Sequence, residues 1–280
     1  VIRDIAGRNN HTVKLARKLQ KKKHRRERGL LVGEGMDLLA AAVEAGAEIH
    51  HVLARRDLLD SLPASLRASA EGEKPGQGLG RESTDVGLCD QDTLDHASSL
   101  GGAADVVFIC RQPSRGLAAL PLGQRGVFYL EGVGDPGNVG TLCRSALAFG
   151  LAGLICSPGT ADPYSPKALR AGMGAQFWLP VVTDVSPDDL RAHLAGVEGR
   201  GGGRPTLLVA DPHRGEDARS LVTGARSGSA PIVILGDERE GPQDPWVGAG
   251  RVTIRQARFD SLNVAMAGTI LAYEISRCSK

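Results

Sequence analysis

Apolar spacing divides the chain into short aliphatic runs separated by longer amphipathic stretches. From Thr12 to Arg28 a narrow stripe of Val13, Leu15 and Leu19 runs among cations, which predicts one basic helix capped by Asn10 or Thr12. Leu30-Leu31-Val32 predicts a strand, Met36 to Ala45 a helix ending at Gly46, Ile49 to Leu53 a strand, and Val106 to Cys110 the last strand of this half. Between them, Glu71 to Gly80 is polar and rich in Gly and Pro, the composition of a mobile loop.

Beyond Arg115 the alternation becomes regular. Gly126-Leu130, Leu154-Ser157, Val181-Val182, Leu207-Ala210, Ile232-Leu235 and Val252-Ile254 predict strands, while Asn138-Phe149, Pro166-Met173 and Leu262-Arg277 predict helices. Short continuous apolar strands alternating with helices imply an α/β protein with a parallel sheet covered on both faces. The division expected is a domain over 1–114, a linker over 115–125 and a second domain over 126–280.

Composition adds little except at one end. The 280 residues carry 41% hydrophobic and 24% charged side chains, within the range of globular proteins. No apolar run approaches the roughly 20 residues that span a bilayer, and no apolar leader segment is recognisable, so a cytoplasmic protein is expected. The five cysteines, Cys89, Cys110, Cys143, Cys156 and Cys278, are widely spaced, which argues for buried thiols rather than disulfides or zinc. No metal is expected; His50-His51 is the one close histidine pair. Net charge is only +2, yet Lys and Arg crowd the first thirty residues against Asp4 and Glu27. Arg17, Lys18, Lys21, Lys22, Lys23, Arg25 and Arg26 are the candidate nucleic-acid contacts, the alternative being a merely solvated cationic helix.

Three constellations carry candidate chemistry. The first, Leu130 to Gly140, runs from a strand into the helix that bears Arg144. Its Gly132, Gly134 and Gly137 have dinucleotide-fingerprint spacing, but the next strand ends in Cys156-Ser157-Pro158 without the acid that would hold a ribose, and Pro136 removes a loop N–H. An NAD-dependent oxidoreductase or a ligand-free βα turn are the readings it leaves. The second, Ile232 to Pro242, ends an apolar strand at Gly236 and delivers Asp237, Glu238, Arg239 and Glu240 where parallel sheets bind ligands, unless it is a solvated loop. The third, Ile254 to Gly268, opens a helix at Ser261-Leu262-Asn263, where Ser261 would serve as N-cap.

Together and in this order, the three resemble the signature motifs of the SPOUT methyltransferases, SpoU/TrmH branch. Asp135, Pro136, Asn138, Gly140, Arg144 and Ala146 match the first, Leu235, Gly236, Glu238 and Gly241 the second, and Ser261, Leu262, Asn263, Val264 and Ala267 the third. Asp162 to Lys167 and Arg170 to Ala175 also fit, with Gly172 where Ser is more usual. The stretch after Ile254 lacks the usual Pro-Met, leaving open whether Thr253 or Ile254 meets a cofactor. Arg17 to Leu53 resembles the RNA-binding domain, similar to a small ribosomal protein, that precedes the catalytic domain in the ribosomal enzymes. Within the branch, the resemblance extends to actinomycete rRNA methyltransferases that confer resistance to avilamycin or thiostrepton.

The resemblance implies 2′-O-methylation of a ribose in ribosomal RNA, S-adenosyl-L-methionine as cofactor, a C-terminal trefoil knot and a homodimer. It implies Arg144 as the central catalytic residue with Asn138, Glu238, Ser261 and Asn263, and a cofactor site from Leu235, Gly236, Ile254, Ser261, Leu262 and Asn263. A non-catalytic RNA-binding protein is the rival from another class, though a degenerate copy would be expected to have lost some of these residues.

Overall fold

The computed structural model describes residues 1–70, 84–99, 104–198, 205–220, 229–237, 240–243, 246–258 and 260–277. The predicted loop at Glu71–Gly80, and with it Cys278, Glu238 and Arg239, lies outside the described residues. The chain divides into two compact units, Val1–Pro113 with Tyr164–Phe177, and Ser114–Pro163 with Trp178–Lys280. The segment 164–177, which the sequence division leaves with the C-terminal half, thus groups with the first unit.

The first unit is built on a five-stranded sheet of order β1-β4-β3-β5-β2, from β1 (Ile2–Asp4), β2 (Leu30–Glu34), β3 (Ile49–Arg55), β4 (Asp85–Cys89) and β5 (Val106–Arg111). β1 and β4 escape apolar-run reading because they are short or carry Asp and Gly. Around the sheet lie α1 (His11–Leu19), α2 (Lys22–Arg28), α3 (Met36–Glu44), α4 (Ala64–Ala70), α5 (Gln91–Ala97) and α7 (Pro166–Ala171). Val13, Leu15, Ala16 and Leu19 of α1 pack with Val32, Leu53, Leu94, Val107 and Ile109 in one core.

The basic stretch is two helices, not one. Asn10 is the cap of α1, its side chain accepting the Thr12 N–H at 2.8 Å. The helix stops after Leu19, and Lys21 is extended (φ −94°, ψ 131°) before α2 begins. Arg25 explains the break: its Nη1 donates to the carbonyls of Leu19 at 2.7 Å and Gln20 at 2.9 Å, closing the end of α1 from outside. Arg25 is only 2% exposed. It is therefore an internal cap and not the RNA contact that its place in the cation run suggests.

The second unit holds a seven-stranded sheet of order β10-β12-β9-β11-β6-β7-β8, with every pairing parallel. Its strands are β6 (Val127–Glu131), β7 (Gly153–Cys156), β8 (Val181–Val182), β9 (Leu207–Ala210), β10 (Glu216–Asp217), β11 (Ile232–Gly236) and β12 (Gly250–Thr253). Its helices are α6 (Pro136–Ala148), α8 (Pro187–Glu198) and the final α9 (Val264–Ser276). β6 and β11 are buried along their whole length, as unbroken aliphatic runs require when both sheet faces are covered. α6 and α9 pack closely: a Cβ on Gly268 would lie 2.2 Å from Leu142, and the hydroxyls of Ser145 and Thr269 are 2.6 Å apart. The expected linker is no free tether, since Leu120 and Leu122 are buried in this unit's core.

Candidate active site

The site grows from the carboxyl ends of the strands and two helix starts in the second unit. Asp135 caps α6 by accepting the Asn138 N–H at 3.0 Å. Pro136 takes the first turn, where its missing N–H leaves nothing unsatisfied. At α9 the cap is Asn263, whose Oδ1 accepts from Ala265 at 3.0 Å and Met266 at 3.2 Å. The sequence reading put Ser261 there; the helix starts later, which leaves Ser261 exposed on a cavity wall. With its oxygen engaged, Asn263 turns Nδ2 to Oδ1 of Asn138 at 3.1 Å, across 125 positions of sequence. This bond joins the first and third constellations.

The second constellation meets the third in a cavity of about 440 Å³, whose lining includes Ser261, Leu262 and Val264 but not Asn138, Arg144 or Asn263. Leu235 and Gly236 at the end of β11, Ile254 beyond β12, and Ser261 and Leu262 before α9 all line it. Gly236 is sterically required: a Cβ there would lie 2.1 Å from the Pro242 nitrogen, so only Gly lets the returning turn cross the strand end. The Gly241 N–H closes that turn on the Asp237 carbonyl at 2.9 Å. Ile254 is the lining residue left open by the sequence, whereas Thr253 directs its hydroxyl to the Pro212 carbonyl at 3.2 Å. Glu238 lies outside the described residues.

Arg144 stands exposed on α6 with no hydrogen-bond or ion-pair partner among the described residues. Its planar fork of N–H donors is thus available to a ligand.

Two residues escaped sequence reasoning. Gln256 lines the cavity, and its Oε1 is buried without a partner among the described residues, an acceptor that a ligand donor would satisfy. Trp246 donates Nε1 to the buried Glu131 at 2.7 Å and meets Tyr129 edge-on at 5.2 Å. It ties the chain after the Gly236–Pro242 turn to the end of β6. A lone Gln and a lone Trp carry no motif signal.

The dinucleotide reading fails on the same geometry. The Gly132 N–H, which would face a pyrophosphate, is shared between the hydroxyls of Ser157 at 3.1 Å and Thr160 at 3.2 Å. The carboxylate of Asp135 occupies the start of α6, where it would repel phosphate.

In the first unit Arg17, Lys18, Lys21, Lys22, Lys23 and Arg26 are all exposed. The described cysteines, Cys89, Cys110, Cys143 and Cys156, are buried free thiols. Burial pushes Cys89 up to about 11 and Cys143 up to about 12.

Residues 126–273 match the SpoU rRNA methylase family, and residues 10–75 match the MRM3-like substrate binding domain. The chain belongs to the SpoU rRNA methylase family. This SpoU-family chain is 25% identical over 279 residues to the 23S rRNA (guanosine(2553)-2′-O)-methyltransferase RlmP of Bacillus subtilis (strain 168), covering 98% of this chain and 99% of the relative. Among solved structures it is similar to the SpoU methyltransferase AviRb from Streptomyces viridochromogenes in complex with AdoMet, with TM-score 0.78, 25% identity and coverage of 96% of this chain and 98% of that one. It is equally similar to the AdoMet-bound rRNA methyltransferase from Sinorhizobium meliloti, with TM-score 0.78, 26% identity and coverage of 99% and 98%.

Proposed function

We propose that this protein methylates a ribose 2′-hydroxyl of ribosomal RNA, with S-adenosyl-L-methionine as donor. The observation that carries the proposal is the Asn263–Asn138 bond beside a cavity lined by Leu235, Gly236, Ile254, Ser261 and Leu262. The cavity has the volume of a cofactor-sized site, and Oε1 of Gln256, unpartnered among the described residues, suits an adenine or ammonium N–H. Bound, the cofactor supplies an electrophilic methyl on a sulfonium.

The chain's own residues do the positioning. Leu235, Ile254 and Leu262 offer an apolar wall for the adenine, and Ser261, Asn263 and Glu238 orient the methionine end. Arg144 holds the ribose with its adjacent phosphate, so that the 2′-oxygen would line up in line with the methyl, the thioether S-adenosylhomocysteine leaving and the hydroxyl proton passing to water. Asn138 fixes the start of the helix that carries Arg144. The exposed Arg17, Lys18, Lys21, Lys22, Lys23 and Arg26 supply phosphate contacts, whose counterion release makes affinity fall with salt.

The working unit we propose is a homodimer. Leu147, Met266, Ile270 and Tyr273 are exposed on α6 and α9, the helices that bear Arg144 and the Asn263 cap, and a second copy would cover them. We read the C-terminal fold as the trefoil knot that the family resemblance implies, the first unit as its ribosomal-protein-like RNA-binding domain, and the compartment as the cytoplasm. Methylation at a drug-contacting ribose would confer the resistance that the actinomycete resemblance suggests.

Deproteinised large-subunit rRNA incubated with the protein and S-adenosylmethionine should acquire one ribose resistant to alkaline cleavage. S-adenosylmethionine, and not NAD, should raise the melting temperature. An rRNA without a new 2′-O-methyl, or a shift with NAD alone, overturns the proposal.

A further inference from the structure

Glu34 at the end of β2 has a side chain with no solvent exposure. Its carboxylate accepts from Gln20 Nε2 at 2.9 Å, Ser98 Oγ at 3.1 Å, the Ser99 N–H and Oγ each at 2.9 Å, and Arg170 Nη1 at 3.1 Å. A buried carboxylate is tolerated only when donors saturate it, and one of these donors is a cation from α7, far along the chain.

Arg170 is held at one corner only. Its Nη1 meets Glu34 and, at 3.3 Å, Ser99 Oγ, while Nε and Nη2 have no partner among the described residues. The side chain is 34% exposed. An ion pair serving stability alone would gain from a two-pronged contact; this one leaves a rigid fork of donors open to an outside acceptor.

The ledge that holds it is shared. Residues 96–99, at the end of α5, also receive Arg17 Nη1 on the His96 carbonyl at 3.3 Å and Gln20 Nε2 on the Ala97 carbonyl at 3.3 Å. One short segment therefore organises a cation from the basic N-terminal helix and a cation from a helix that comes much later in sequence. We infer that Arg170 is an RNA phosphate contact, continuing the row begun at Arg17 and aimed by Glu34. The inference rests on the RNA reading above and assigns a residue which that reading does not use. Glu34 touches no RNA and is a positioning residue.

The test is filter binding of deproteinised bacterial large-subunit rRNA to the full chain between 50 and 200 mM KCl, roughly the range over which phosphate contacts dominate. Arg170→Ala should lower the slope of log affinity against log salt by about 0.7 to 0.9, one phosphate's worth. Arg170→Lys, which keeps a point charge, should retain most of the slope. Glu34→Gln should weaken binding at low salt without abolishing the thermal shift given by S-adenosylmethionine. A wild-type slope in Arg170→Ala, with only a lower melting temperature, overturns the assignment and leaves the RNA reading intact. A wild-type protein that does not bind the rRNA overturns both.

Discussion

Asn263 uses the two halves of one amide for two purposes: its oxygen closes the start of α9, and its nitrogen holds Oδ1 of Asn138 at 3.1 Å. Asn263→Asp keeps the first and removes the second. An aspartate caps at least as well and suits the positive end of the helix. Calorimetry should therefore find the melting temperature preserved, while the lost bond, worth about 1 kcal/mol, lowers methyl transfer about fivefold. Asn263→Ala removes both, costing about a further 1 kcal/mol and a few degrees of melting temperature. Equal stability losses in the two variants would show that the cap adds nothing beyond the Asn138 link.

Arg144 has no partner to lose among the described residues, so its removal should leave the fold and the cavity alone. Arg144→Ala is expected to slow methyl transfer on the order of 10²- to 10³-fold, the scale of one positioned donor. Titration calorimetry should find the S-adenosylmethionine affinity unchanged. A parallel loss of affinity would move Arg144 out of the ribose role and into the cofactor site.

Gly236→Ala puts a methyl 2.1 Å from the backbone nitrogen of Pro242, and backbone must move to receive it. Stability should fall by about 1–3 kcal/mol in urea unfolding, as overpacking does. The displaced turn lines the cavity, so cofactor affinity should fall with it. Unaltered affinity would mean that the turn is not part of the site.

Cys143 links stability to alkali. Below its ordinary value of 9.0 both folded and unfolded chains hold the thiol proton; above it the unfolded chain releases a proton that the folded one keeps up to about 12. Stability therefore falls with rising pH across that window, by at most about 1.4 kcal/mol per pH unit. Cys89, pushed up to about 11, adds to the slope over a narrower range. Urea unfolding under reducing conditions from pH 8 to 11 should become flatter in Cys143→Ala. An identical slope in the variant would assign the alkaline loss to other groups.

Much of the fold was legible because β6, β7, β9 and β11 are unbroken apolar runs and parallel strands have no polar face to confuse the reading. β4, Asp85–Cys89, was not, since Asp85 and Gly87 break its run. The site was legible where it depends on backbone: Gly236 and Pro136 are demanded by steric and hydrogen-bonding constraints that local sequence expresses. It was illegible where it depends on a partner far away. Nothing near Arg25 says that its guanidinium will turn inward to Leu19, and nothing near Gln256 says that its acceptor will be buried. Ser261 and Asn263 are both good caps by composition; the choice of Asn263 follows from where α9 begins.

The order of strands in the second sheet bears on how the protein is made. Val127 of β6 pairs with Ile232 of β11, and β9 then joins β11 to β12. During synthesis the early strand β6 must wait, one edge open, until nearly the whole polypeptide has emerged. Such long-range pairing is slow and leaves nascent strands exposed to misassociation. A release of the chain shortly before α9 would leave Asn138 without its partner and the methyltransferase site unmade, however well the first unit had already folded.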